Sequence, residues 1–476
     1  MENQTLIHAL IALLGNDGVR CGDAIDARFR ADWSGAAPVE PLALLRPGST
    51  EQVQAAMRIC HAYRVPVVPQ GGMTGLAGGA MPTVGAVALS LERMNAIEKV
   101  DAVASTITVQ AGATLQAVQE AAQAAGMALG LDLGARGSCQ IGGNLATNAG
   151  GNGVVQYGMA REQVLGLEVV LADGTLLPML RPMLKNNTGY DLKHFFIGAE
   201  GTLGIITRAL LVLRPAPRAR ISALAALPDF ASAIRLLRHL QTHFPGALAA
   251  FELMWDDFFR TSLGWNQMES PLSQSYPFQV LVEVTGTEEA QLAESLQGAL
   301  GAAMEQGTVL DAVFAQSQLQ AQSLWRIREA PSQFLTRIAP VSFDISLPLD
   351  QMDEFAEDCV RALTARWPAQ HSVRFGHLGD GNLHLTTDAR SLGEGIPLDE
   401  AGHAIEEIIY GLLGQRGGSI SAEHGIGLHK KPYLKVSRSP AELAAMRAIK
   451  LALDPLNLLN PGKVFDLSTH DTKAMQ

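Results

Sequence analysis

PVVPQGGMTGLAGGA, residues 66–80, runs a short β-branched stretch directly into a loop with five glycines. Glycines let successive backbone N–H groups turn toward one anion and build a nest that can hold a pyrophosphate. Taken alone, such a loop reads equally well as a tight surface turn. Two further stretches share its character: GLDLGARGSCQIGGNLATNAGGNGVVQYG (130–158) and KNNTGYDLKHFFIGAEGTLGIIT (185–207). Three such segments predict an extended ligand approached closely by backbone, and a dinucleotide fits that description. A Rossmann site needs G-x-G-x-x-G at a helix start, which GGMTGLAGG does not offer, and no G-x-x-x-x-G-K-[ST] is present. These absences argue against nicotinamide and nucleoside triphosphate cofactors.

Around these loops the text is a mixture. TLIHALIALLG reads as an amphipathic first helix, too short to span a bilayer and without the basic flank of a leader. VQAAMRICHAYRV (53–65) and TLQAVQEAAQAAG have helical spacing, while VGAVALSL, STITVQAG, LGLEVVLADG and TLGIITRALLVL read as strands. The fold class expected is α+β. RPAPRAR (214–220) marks a boundary, beyond which helices such as DFASAIRLLRHLQTHF alternate with strands such as QVLVEVTG and VSFDISLP. This second region predicts a sheet with helices on one face.

The chain has 476 residues, 47% of them hydrophobic and 17% charged, with a net charge of −11. That length predicts at least two domains, and the charge excludes a nucleic-acid binder relying on clustered Lys and Arg. The four cysteines, Cys21, Cys60, Cys139 and Cys359, form no C-x-x-C pair and are expected as reduced thiols. Cys139, inside the second glycine stretch, reads as a small buried filler.

Together the loops resemble the FAD-binding oxidoreductases of the vanillyl-alcohol oxidase (PCMH) type. Within them the chain is similar, over about residues 40–466, to the D-2-hydroxyacid dehydrogenases, which include D-lactate dehydrogenase, the glycolate oxidase flavin subunit and D-2-hydroxyglutarate dehydrogenase. The resemblance implies a PCMH-type FAD domain at 1–218, an α+β antiparallel-sheet cap at 219–430 carrying substrate and metal, and a segment, 431–476, returning to the FAD domain. It implies non-covalent FAD held by Pro69, Gly71, Gly72, Met73, Thr74 and Gly75 in the first loop. Asp132, Ser138, Gly142, Gly143, Asn144, Thr147 and Gly150 follow in the second, Glu200, Gly201, Gly204 and Ile206 in the third, and Asn460 in NPGK. Gln70 and Met73 depart from the Arg and Asn common among relatives, but backbone amides hold most of a phosphate.

FGHLGDGNLHL (375–385) sets His377 and His384 about a Gly-Asp-Gly-Asn core. A four-residue hairpin loop at 379–382 would pair Leu378 with Leu383 and put His377 opposite His384, within reach of one cation; an ordinary hairpin with two half-buried histidines is the other reading. SISAEHGIG (419–427) adds Glu423 as an oxygen ligand and His424 as a titratable neighbour. His377, His384 and Glu423 resemble the divalent metal site of the family, where zinc is expected and manganese or iron are alternatives. His424 is the candidate base, with an ordinary pKa near 6.5.

Arg328 matches the family's substrate-carboxylate arginine, though its spacing also suits a surface ion pair; Ser332, Ser342 and Thr386 fall at further substrate positions. Ser342 stands where 2-hydroxyglutarate enzymes have a lysine, which favours a monocarboxylic or unusual 2-hydroxy acid over D-2-hydroxyglutarate, which stays as the alternative. The reaction implied is oxidation of a D-2-hydroxy acid to the 2-oxo acid, with electrons passing to an acceptor such as an electron-transfer flavoprotein, quinone or cytochrome. The alternatives are a flavin subunit of a larger respiratory complex and an oxidase using O₂. A cytoplasmic or membrane-peripheral location and a homodimer are consistent with this reading.

Overall fold

A computed structural model describes residues 2–393 and 395–467. The chain divides into two compact units, one of Met1–Gly150, Gly158–Ala216 and Glu423–Gln476, the other of Gly151–Tyr157 and Pro217–Ala422.

The first unit holds two sheets. One is four-stranded, in the order Val19–Arg20, Ala43–Leu45, Val87–Ser90, Val67–Gln70, with its last three strands parallel. The other is antiparallel, in the order Ile97–Asp101, Thr106–Gln110, Ile205–Val212, Val164–Val170, Leu176–Met179. Both contribute to one hydrophobic core. The helix Glu2–Leu14 sends Leu6, Leu10 and Leu14 into it at a spacing of four residues. The helix Thr50–Ala62 starts where the Ser49 side chain accepts from the Gln52 N–H, and it buries Val53, Ala56, Met57 and Cys60. Cys139 is buried in the same core, and burial pushes its thiol pKa up, as suits a filler.

The second unit is built on a seven-stranded antiparallel sheet in the order Asp311–Phe314, Ala219–Leu227, Phe278–Gly286, Leu248–Trp255, Ser372–His377, Asn382–Asp388, Pro340–Ser346. Helices do not keep to one face as the sequence suggested. Phe230, from the helix Phe230–His243, packs on Trp255 on one side. Phe258, Phe259, Leu324 and Ile327, from the helices Asp256–Asn266 and Gln318–Arg328, cover Leu224, Met254 and Leu281 on the other. The cause is legible in LAAFELMW: every residue of Leu248–Trp255 is buried, and a strand buried on both faces needs cover on both.

Candidate active site

In the first unit the first two glycine loops meet backbone to backbone. Gly71 lies against Gly143, where a Cβ would still find ordinary contact at 3.5 Å. Gly72 sits so close to the second loop that a Cβ would fall 2.0 Å from the Ser138 carbonyl oxygen. Met73 takes a left-handed φ of 58° and buries its side chain. Gln70 closes the first loop, its Nε2 donating to the carbonyls of Phe29 (3.0 Å) and Ala80 (3.1 Å). The departure from Arg at this position therefore supplies a structural staple and leaves the loop amides to face a ligand.

The other residues expected around the cofactor divide by what their side chains touch. The Glu200 carboxylate accepts from the backbone N–H groups of Ile426 (2.7 Å) and Gly427 (2.8 Å), and burial pushes its pKa up. Asn460 Nδ2 donates to the carbonyls of Gly79 (2.8 Å) and Glu200 (2.7 Å). These two side chains fasten the C-terminal segment to the first and third loops. Gly204 serves core packing, since a Cβ there would meet Val169 at 2.5 Å, and Ile206 is buried in its strand. The Thr147 hydroxyl donates to the Gly143 carbonyl, and Asp132 pairs with Arg136. Among the described residues, Gln140 Oε1 and Asn460 Oδ1 are buried with no hydrogen-bond partner. A backbone cradle that admits no Cβ at Gly72, edged by buried unsatisfied acceptors, fits an extended dinucleotide such as FAD.

In the second unit, register gathers the polar residues onto one sheet face. Glu252 pairs with His377, Phe375 with His384, His384 with Asp344, and Thr386 with Ser342. Directly opposed residues in a sheet share a face. The hairpin itself corrects the sequence reading: Leu378–Asp380 forms a 3-10 turn, Gly381 takes a left-handed φ of 80°, and His377 pairs with Asn382 instead of His384. Gly376 allows this closure, because a Cβ there would meet the Asn382 carbonyl oxygen at 2.2 Å. The slip is two residues, an even number, so both imidazoles still leave the same face. Their ring centroids are 5.3 Å apart.

Glu252 is 1% exposed and bridges two partners. Its Oε2 accepts from Arg328 Nε at 2.8 Å, and its Oε1 lies 2.8 Å from His377 Nδ1. Arg328 Nη2 is 3.4 Å from His377 Nε2, and the guanidinium lies over the Phe375 ring at 4.6 Å. An arginine can only donate, so Nε2 is the acceptor and Nδ1 carries the proton given to Glu252. Burial alone pushes the Glu252 pKa up; His377 and Arg328 on its two oxygens bring it below the usual value. The surface ion pair weighed for Arg328 is replaced by a buried one.

Asp344 is fully buried, and its Oδ2 accepts from the Ala422 N–H (3.1 Å) and the Ser421 hydroxyl (3.2 Å). The run from Ser419 is thus laid along the edge strand, with Ser346 and Ser419 bonded backbone to backbone. Glu423 and His424 follow this run directly in the sequence. On the sheet face itself Asp344 stands opposite His384, a carboxylate beside an imidazole. His377 has its nitrogens turned to Glu252 and Arg328. Carboxylate and imidazole are donors suited to zinc or another divalent transition ion. The Ser342 and Thr386 hydroxyls lie 3.0 Å apart, and the exposed Ser332 donates to the Glu329 carbonyl.

Glu252 and Asp344 were not anticipated from sequence. The signal was present in each case: a single acid inside an apolar strand, LAAFELMW and VSFDISLP, is buried with a partner or not tolerated.

Two family models match the chain, FAD binding domain over residues 41–179 and FAD linked oxidases, C-terminal domain, over 216–464. D-2-hydroxyglutarate dehydrogenase of Xanthomonas citri is 43% identical over 93% of each chain. The chain belongs to the FAD-linked oxidase family. It is an FAD-linked oxidoreductase, and mitochondrial D-2-hydroxyglutarate dehydrogenase of Rattus norvegicus is another relative, at 40% over 88% of this chain and 77% of that one. A putative D-lactate dehydrogenase of Schizosaccharomyces pombe is 34% identical over 91% of this chain and 84% of the relative. Among solved structures, p-cresol methylhydroxylase aligns with a TM-score of 0.75 at 17% identity, over 98% and 97% of the two chains. With 4-ethylphenol oxidase of Gulosibacter chungangensis the values are 0.74 and 18%, over 98% of each. These two establish the PCMH-type α+β fold. Among the described residues no helix is long and apolar enough to cross a membrane.

Proposed function

We propose that this FAD-linked oxidase family member oxidises a D-2-hydroxy acid to the 2-oxo acid and passes the electrons to an acceptor other than NAD. The observation that carries the reading is the single sheet face that gathers His377, His384 and Asp344, with Arg328 reaching it from a neighbouring helix, in a chain whose relatives are named for D-2-hydroxyglutarate and D-lactate. Bound FAD supplies a hydride acceptor. A divalent cation, zinc in first place, supplies Lewis acidity toward the substrate oxygens, with His384 and Glu423 as ligands and His377 or Asp344 beside them.

The chain's own groups do the rest. Arg328, always charged and planar, pairs with the substrate carboxylate and fixes its orientation. His424 takes the hydroxyl proton as the Cα–H is transferred. Buried Phe375, under the guanidinium, keeps water from that side. At the distal end Ser342 and Thr386 offer hydroxyls and no cation, which favours a monocarboxylic substrate over a second carboxylate. The loops of the first unit, from Gly71 to Gly75 and from Ser138 to Gly150, hold the cofactor mainly through backbone amides, and the acceptor is an electron-transfer flavoprotein, quinone or cytochrome.

The test is anaerobic flavin bleaching with D-lactate, longer D-2-hydroxy monocarboxylates, D-malate and D-2-hydroxyglutarate, each beside its L-enantiomer. Faster bleaching by D-monocarboxylates is expected. A strong preference for the dicarboxylates would sink the distal-end argument, and bleaching by none of the panel would sink the substrate class. Dye reduction set against peroxide formation under air separates a dehydrogenase from an oxidase.

A further inference from the structure

The buried network around Glu252 has a role that the reaction alone does not assign. We propose that Glu252 is a positioning residue: it aims Arg328 at the substrate carboxylate and sets the tautomer of His377. The inference rests on the reading of Arg328 as the carboxylate partner.

Three residues close a ring. Arg328 Nε donates to Glu252 Oε2 at 2.8 Å, His377 Nδ1 donates to Oε1 at 2.8 Å, and Arg328 Nη2 meets His377 Nε2 at 3.4 Å. Glu252 is held in the middle strands of the sheet, between Phe278–Gly286 and Ser372–His377, so its carboxylate cannot follow a moving guanidinium. Arg328 comes from the last turn of a helix, with its head stacked on Phe375. A flexible arginine has many rotamers, and a fixed carboxylate on Nε, with His377 Nε2 against Nη2, selects those that leave Nη1 for a substrate carboxylate. Pre-paid orientation of this kind is what makes a binding group effective in the transition state. The same carboxylate accepts only, so it requires the proton on His377 Nδ1 and leaves the Nε2 lone pair to accept from Arg328 Nη2, a second hold on the guanidinium.

Glu252→Gln keeps the shape and changes both properties. An amide can still accept from Arg328 Nε, but its NH₂ then faces His377 Nδ1 and drives the ring proton to Nε2. The orientation of Arg328 also loses its charged anchor. A role in substrate positioning predicts selective loss of carboxylate recognition, whereas a merely structural role lowers all activity alike.

The experiment compares the best acid of the D-2-hydroxy panel with its primary amide, in wild type and in FAD-loaded E252Q. Turnover is measured together with the Kd of the corresponding 2-oxo acid and 2-oxo amide, read from perturbation of the flavin spectrum. Wild type should favour the acid, and E252Q should shrink the acid-to-amide ratio by about 10²-fold, the effect expected of an arginine displaced by about 1 Å. An equal loss on acid and amide, leaving the ratio unchanged, overturns the proposal. If wild type itself does not separate acid from amide, the Arg328 reading fails and this inference falls with it; if wild type does and E252Q does so as sharply, only the Glu252 role fails. Should E252Q not retain FAD, E252D carries the test, since it keeps the charge but withdraws it by one methylene. A partial loss of discrimination is then expected, and an undiminished ratio overturns the proposal.

Discussion

Gly72→Ala is the sharpest test of the cofactor cradle. The added Cβ would lie 2.0 Å from the Ser138 carbonyl oxygen and 2.8 Å from Cys139 Cα, both backbone atoms that cannot rotate away. To restore a tolerable approach the first and second loops must part by about 1 Å, and overpacking of this kind costs about 1–3 kcal/mol. The same separation widens the nest, so FAD affinity should fall by about tenfold to a hundredfold. Two measurements check this: the flavin-to-protein ratio from visible absorbance after gel filtration, and thermal unfolding of the apoprotein. Gly71→Ala is the internal control, because its Cβ would meet Gly143 Cα at 3.5 Å, an ordinary contact. Its apoprotein should melt close to wild type. If Gly72→Ala retains full FAD and melts with wild type, the two loops are not in the tight contact on which the cradle argument stands.

Two further outcomes are expected. For the metal, Glu423→Gln and His384→Ala should each lower bound divalent metal and substrate-dependent bleaching while FAD stays bound; comparing metal content in His377→Ala and Asp344→Asn tells which of those two is the third ligand, and undiminished metal in the first two variants rejects the site. Burial lowers the Lys463 pKa to about 8, below its ordinary 10.5, with the nearby Asp32 charge acting the other way. Between those values the unfolded chain binds more protons, so the burial penalty is full below about pH 8 and is relieved as pH rises. The stability of wild type relative to Lys463→Met should therefore increase by up to about 3 kcal/mol across that window, as measured by denaturant unfolding at a series of pH values; a flat difference refutes it.

Much of this chain was legible without coordinates. Local period and punctuation are short-range properties, so VQAAMRICHAYRV, TLQAVQEAAQAAG and the β-branched runs read correctly as helices and strands. Glycine loops are likewise local in cause, and three of them in one region carried the flavin reading. The hairpin was half legible. Its turn residues and the shared face of His377 and His384 follow from alternation, but the two-residue slip depended on the 3-10 turn at Leu378–Asp380 and the close approach at Gly376.

What sequence by itself determined was the inventory: an α+β chain with an FAD loop system, two histidines on one sheet face, and an acid and a histidine in a glycine-flanked loop. Tertiary structure alone decided which of these groups touch. Glu252 meets Arg328 and His377 across 76 and 125 positions of chain, and Asp344 meets Ser421 across 77. No periodicity reaches that far. Those partners are chosen by strand order and register in the seven-stranded sheet, where a buried carboxylate such as that of Glu252 needs a donor on each oxygen and the fold supplies it.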